Sequence, residues 1–170
     1  CGLKGHQIIA LTFTNKSARE MKERVGSLMT GKEARGLTVS TFHNLGLNII
    51  RKEVEALGYK PGFSIFDSQD VLALLKDLTH KEFEAAEDAC EPIQHLISNW
   101  KNDLISPSRA MAGANSPDQV LAARVYEAYQ KTLKLYNGVD FDDLILQPVE
   151  LFKHRTDILK KWQNKVRYLL

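Results

Sequence analysis

Only two cysteines, Cys1 and Cys90, occur among the 170 residues, with no C-x-x-C pair and no second Cys or His at zinc-finger spacing. That excludes a disulfide framework and a structural zinc knuckle. No apolar run approaches the ~20 residues that a bilayer-spanning helix needs, and no basic segment followed by an apolar one opens the chain. A soluble, cytoplasmic protein with no membrane partner is therefore expected. The chain also has no G-x-x-x-x-G-K-S/T loop, so no cradle for a triphosphate is visible. There is no initiator Met, and the chain stops within the apolar run 166–170. Both ends read as cut from something longer.

What is present is an ordinary globular composition, 44% hydrophobic and 26% charged, with charge distributed unevenly. Residues 1–60 carry ten Lys/Arg against five Asp/Glu, residues 61–150 seven against fifteen, and residues 151–170 six against one. Net +5, −8 and +5 make up the overall +2. A polyanion is thus drawn to the two ends and repelled by the middle, if these charges do more than solvate helix faces.

Two apolar stretches, residues 8–12 and 37–42, read as strands. The first runs into a helix capped by Asn15, with Ala18, Met21, Val25, Leu28 and Met29 on one buried face and Gly31 as a stop. The second runs into a helix through Leu45, Ile49, Ile50, Val54 and Leu57, ended by Gly58. Strand, helix, strand, helix within 60 residues predicts a parallel sheet. From Pro61 the pattern is helical, with no strand before Asp140. Asp67 and Asp70 form a capping box, Pro92 and Pro117 suit first helical positions, and Ile93, Leu96, Ile97, Trp100 and Leu104 share a face. Residues 106–116, rich in Ala, Ser, Gly and Asn, read as a loop. Beyond Asp140 follow a short helix, a helix over 156–163 and a strand over 166–170.

In an open α/β sheet ligands bind at the carboxyl ends of the strands. Here those ends carry Phe13, Thr14, Asn15 and Lys16, and then Ser40, Thr41, Phe42 and His43. Backbone N–H groups, helix dipoles and an ammonium converge there, which suits a phosphate, and the two phenylalanines add faces on which bases can stack. The plainer alternative makes Asn15 a cap, Lys16 solvated and Phe13 core. No Ser-His-Asp or Cys-His constellation surrounds His43, so no catalytic residue is assigned. Asp140, Asp142 and Asp143 concentrate carboxylates, but their position before a helix favours capping over metal binding, and no metal site is assigned. Trp100 and Trp162, each beside a Lys, read as packing residues.

The stretch Ala10-Leu11-Thr12-Phe13-Thr14-Asn15-Lys16-Ser17-Ala18-Arg19-Glu20-Met21, followed by Ser40-Thr41-Phe42-His43 and Asp140-Phe141-Asp142-Asp143-Leu144-Ile145, resembles superfamily 1A DNA helicases of the UvrD/Rep type. The likeness extends through residues 97–104 and 162–170. It implies an α/β fold: part of a RecA-like parallel sheet of the P-loop NTPase type, over 1–58 and 141–170, with a mostly helical inserted subdomain over 59–140. It also implies that Phe13, Thr14, Asn15, Lys16, Thr41, Phe42 and His43 touch single-stranded DNA. The parent protein is then an ATP-dependent 3′→5′ helicase using ATP and Mg²⁺, acting at single-strand/duplex junctions in replication or repair, with replication or repair proteins as further partners. The family's phosphate loop and Asp-Glu box fall outside these residues, so the fragment alone is expected to bind no cofactor and to be inactive. The competing readings are a non-catalytic nucleic-acid-binding or protein-interaction module, and the helicase part of a recombination helicase–nuclease.

Overall fold

The computed structural model describes residues 4–28, 36–82 and 89–170, and these divide into two compact units. One comprises residues up to Glu53 together with Gln147–Leu170, the other Val54–Leu146.

The first unit is built on a parallel three-stranded sheet. Strand β1 (Ile8–Thr12) lies between β2 (Thr38–Thr41) and β5 (Tyr168–Leu169). Its β-branched isoleucines suit a pleated, half-covered surface, and Ile9 and Ala10 are buried. The register sets Ile9 against Thr38 and Thr12 against Thr41, so β1 and β2 end level with one another. On the other side the backbone N–H of Leu11 donates to the Leu170 carbonyl at 2.8 Å. Helix α1 (Asn15–Leu28) follows β1, and α2 (Phe42–Lys52) follows β2.

The cap of α1 is Thr14 rather than Asn15. The Thr14 hydroxyl accepts from the Ser17 N–H at 3.1 Å and its carbonyl accepts the first helical bond, from Ala18, at 3.0 Å. The expected buried face is only half covered: Ala18, Met21 and Val25 are partly exposed and Leu28 is 82% exposed. Met29 and Gly31, the expected end of that helix, lie outside the described residues. Helix α2 stops at Lys52, with Glu53 as C-cap, so Val54, Leu57 and Gly58 belong to turns rather than to the helix. Gly58 has φ +68°, a conformation that glycine adopts without the Cβ penalty.

The second unit packs α3 (Ser68–Glu82), α4 (Cys90–Asn102), α5 (Pro107–Gly113) and α6 (Pro117–Leu135) around Leu75, Ile93, Ile97, Val125, Tyr126 and Tyr129. Burying a side chain such as Leu75 completely contributes ~1.5–3 kcal/mol. Asp67 and Asp70 form the expected capping box: Asp70 N–H donates to Asp67 Oδ1 at 3.0 Å, and Asp67 N–H to Asp70 Oδ2 at 3.1 Å. Pro117 opens α6, whereas Pro92 is the third residue of α4, still within the first turn, where a missing N–H costs no helical bond.

Two expectations fail in this unit. Residues 106–116 are not a loop throughout, because Ser106 caps α5, Pro107 opens it and Ala110 is buried against the core. Strands also occur where none was expected: β3 (Ser64–Phe66) and β4 (Gly138–Asp140) pair in parallel. Each is three residues long, too short for a period of two to register. At Gly138 a Cβ would lie 2.7 Å from Phe66 Cε1, so any larger residue there has to displace that ring. The chain returns through α7 (Asp143–His154) and α8 (Thr156–Lys165) to β5. Among the described residues no helix is long and apolar enough to cross a membrane.

Candidate functional site

Because β1 and β2 end level, the residues after them emerge side by side. Phe13 and Phe42 meet with ring centroids 5.4 Å apart and planes tilted by 38°. Phe13 is 86% exposed and Phe42 42%. An aromatic pair of this size left in water is not core, which removes the plainer reading of Phe13.

Beside the rings lie two helix starts with the same construction. Thr14 caps α1 and Thr41 caps α2, the latter accepting from the Asn44 N–H at 3.2 Å. Asn44 Nδ2 also donates to Asn15 Oδ1 at 3.5 Å, joining the first turns of the two helices. Neither first turn holds an acidic residue, so two positive dipole ends face one place without compensation. Lys16 brings its ammonium to the first turn of α1, and Lys16, Asn15, Thr14 and His43 are all exposed.

Six of the seven expected contact residues are therefore gathered on one solvent-facing edge. Thr41 departs from the rest: it is 5% exposed and its hydroxyl oxygen is engaged as a cap, so it fixes the start of α2 and does not itself face solvent. Asn44 was not anticipated from sequence. Its position three residues after the cap Thr41, where a cap finds its N–H partner, is the signal that would have found it.

A second constellation lies inside the helical unit. Asp140 and Asp143 cap α7 reciprocally, Asp143 N–H donating to Asp140 Oδ1 at 2.9 Å and Asp140 N–H to Asp143 Oδ2 at 3.2 Å. Capping is thus their structural role. They also hold a lysine, Lys101, to which the sequence reading assigned no role. Lys101 Nζ donates to Asp140 Oδ2 at 2.6 Å and lies 3.1 Å from Asp143 Oδ1, with its side chain wholly buried. The Tyr129 hydroxyl donates to Asp140 Oδ2 at 2.7 Å. Ile93, Ile97 and Lys101 stand four residues apart on α4, so the spacing itself places Lys101 on the buried stripe.

Burial opposes every charge in this group. Burial alone lowers the Lys101 ammonium, but the Asp143 and Asp140 charges outweigh it and hold the group above the ordinary lysine range. Burial likewise raises Asp140, yet the Lys101 charge and hydrogen bond bring it below the usual carboxylate range. Asp143, more deeply buried and facing Asp140, stays raised despite Lys101. Burial, followed by the Asp140 charge, pushes the Tyr129 phenol up. With Lys101 seated between them, the two carboxylates are committed to an internal cation. Among the described residues no group of three or more His, Cys, Asp or Glu is arranged to hold a metal.

Over residues 1–170 the chain matches the family model described as UvrD/REP helicase N-terminal domain. It is 52% identical to the ATP-dependent DNA helicase Rep of Escherichia coli (strain K12) across 170 residues, the whole of this chain and 25% of that protein. Against the Rep helicase of Salmonella typhimurium the identity is 50% over 170 residues, with the same coverage of 100% and 25%. An ATP-dependent DNA helicase PcrA from Leuconostoc citreum is 39% identical over 165 residues, 96% of this chain and 22% of that protein. The chain spans about a quarter of the length of the curated relatives it matches.

Proposed function

This chain belongs to the UvrD/REP helicase family, and from that premise we propose that its exposed Phe13–Phe42 edge grips single-stranded DNA within an ATP-dependent helicase that moves 3′→5′ and unwinds duplexes. The observation that carries the reading is the solvent-facing aromatic pair set against two uncompensated helix starts and Lys16. Rings stack on bases of any identity, while amides and an ammonium hold phosphates, a combination suited to gripping a strand without reading it. Phe13, Thr14, Asn15, Lys16, Phe42 and His43 supply the grip, and Thr41 and Asn44 position it.

On this reading the sheet unit is part of a RecA-like motor domain and the helical unit is a subdomain inserted into it. The intact protein uses ATP and Mg²⁺, and acts with single-strand/duplex junctions and replication or repair proteins. The described residues do not fit a nucleotide: no glycine-rich phosphate loop is among them, and Asp140 and Asp143 already hold Lys101. Nucleotide chemistry is accordingly assigned to other parts of the protein. The 170 residues alone are expected to show no ATP turnover in a phosphate-release assay, and turnover by the pure fragment overturns that assignment.

The reading is tested by Lys16→Ala in the intact protein. Losing one phosphate contact lowers the slope of log affinity against log salt by ~0.7 for a single strand, equally for all sequences. Titration of oligothymidine across a salt series measures it. An unchanged slope removes Lys16 from the grip.

A further inference from the structure

The basic segment 151–170, with six Lys/Arg against one Asp, has no part in the aromatic edge. Within the sheet unit it comes to the C-terminal end of α2. There the buried Trp162 indole donates to Glu53 Oε1 at 2.8 Å, and Lys161 Nζ donates to the same oxygen at 2.8 Å. Glu53 is buried and committed to those two donors. Burial raises its carboxyl, but the hydrogen bonds from Lys161 and Trp162 and the charges of Lys161 and Lys52 hold it below the usual range.

Lys52 Nζ lies 5.6 Å from the centroid of the same indole, and Lys165 Nζ lies 5.1 Å from it. Both side chains are exposed. The single acid of the basic segment, Asp157, is held by Arg155 through two hydrogen bonds of 3.0 and 2.8 Å. Three ammonium groups are thus arranged around one indole with one carboxylate among them. Contact with Lys52, then burial, then repulsion from Lys52 and Lys161 push the Lys165 ammonium below the ordinary lysine range.

We propose that Lys52, Lys161 and Lys165 form a second contact for a nucleic-acid phosphate backbone, at the opposite end of α2 from the Phe13–Phe42 edge. The 11 residues of α2 separate the two by roughly 16 Å at 1.5 Å per residue. The patch takes phosphates rather than bases, because Trp162 is buried and the Phe152 ring, 6.3 Å away, packs against it rather than standing free in solvent. For the same reason it lacks the exposed apolar anchor on which a protein partner centres its binding energy. The proposal rests on the reading of this chain as a nucleic-acid-handling protein, but on different residues.

The test compares the intact wild-type protein with Lys52→Gln/Lys165→Gln, leaving Lys161 to hold Glu53, in oligothymidine titrations over a salt series. Loss of two single-strand phosphate contacts lowers the salt slope by ~1.4, and Lys52→Arg/Lys165→Arg restores it. If the Gln variant keeps the wild-type slope while Phe13→Ala still weakens binding, the patch is overturned and the aromatic grip stands. A lowered slope beside an inert Phe13→Ala supports the patch and removes the grip. Competition by polyglutamate that the Gln variant abolishes, at an unchanged oligothymidine slope, assigns the lysines to an acidic protein and also overturns the proposal.

Discussion

Replacing Phe13 by alanine in the intact protein is expected to weaken binding of single-stranded DNA by about 5- to 150-fold, the 1–3 kcal/mol carried by one base–aromatic stack. Phe13 is 86% exposed, so its removal leaves no cavity, and the thermal midpoint should stay at the wild-type value. Phe42 is more deeply set at 42% exposure and packs against Phe13, so Phe42→Ala removes a support as well as a ring. The two losses are therefore expected to combine with less than additive effect, as side chains in direct contact do. Anisotropy titrations of oligothymidine with both single variants and the double variant give the coupling. An affinity for Phe13→Ala within two-fold of wild type would falsify the grip.

The second large effect is expected in stability. Lys101→Met leaves Asp140 and Asp143 buried side by side without their cation, and breaking a buried pair from one side costs about 3–5 kcal/mol. Asp143→Asn should cost less, because the 2.6 Å pair of Lys101 with Asp140 remains. The variants differ in pH dependence too. In Lys101→Met the two carboxylates share a buried site, so their folded-state pKa values rise above the unfolded ~3.9 and the folded state binds more protons. Stability then falls as pH rises through that range, and acidification from neutral pH recovers part of the loss. In wild type Asp140 works in the opposite sense. Its folded pKa is lowered, so its contribution is present above the ordinary carboxylate range and is lost as pH falls through the folded value. Urea denaturation at neutral and mildly acid pH measures both, and a Lys101→Met midpoint equal to wild type would rule out the buried cation as a stabilising element.

The two predictions concern sites of unequal legibility. The position of Phe13, Asn15, Lys16, Phe42 and His43 just after two strands was readable because strand ends and turn residues are local signals. The level ending of β1 and β2 follows from pairing Thr12 with Thr41, two residues 29 apart in the chain. For Lys101 the four-residue spacing from Ile93 and Ile97 marks the buried stripe, but its partner Asp140 lies 39 residues away, so the pairing itself is not a local signal. The strands β3 and β4 escaped for a related reason: three residues carry no period, and the partners lie more than 70 positions apart. Helix α5 was legible in principle, from Ser106 as cap and Pro107 at the first position, but small residues drew the reading toward a loop.

By itself the sequence determined the α/β class, the helical middle, the capping box of α3, the caps before α7 and the family, since each rests on residues within a few positions or on a motif carried in order. Only the tertiary structure decided that Thr41 is turned inward, that the two phenylalanines meet in water, and that Lys101 and Glu53 are buried with their partners. Burial and pairing are properties of what surrounds a residue in space. The chain's own neighbours along the sequence report them only where the spacing of a helix or strand happens to coincide with the core.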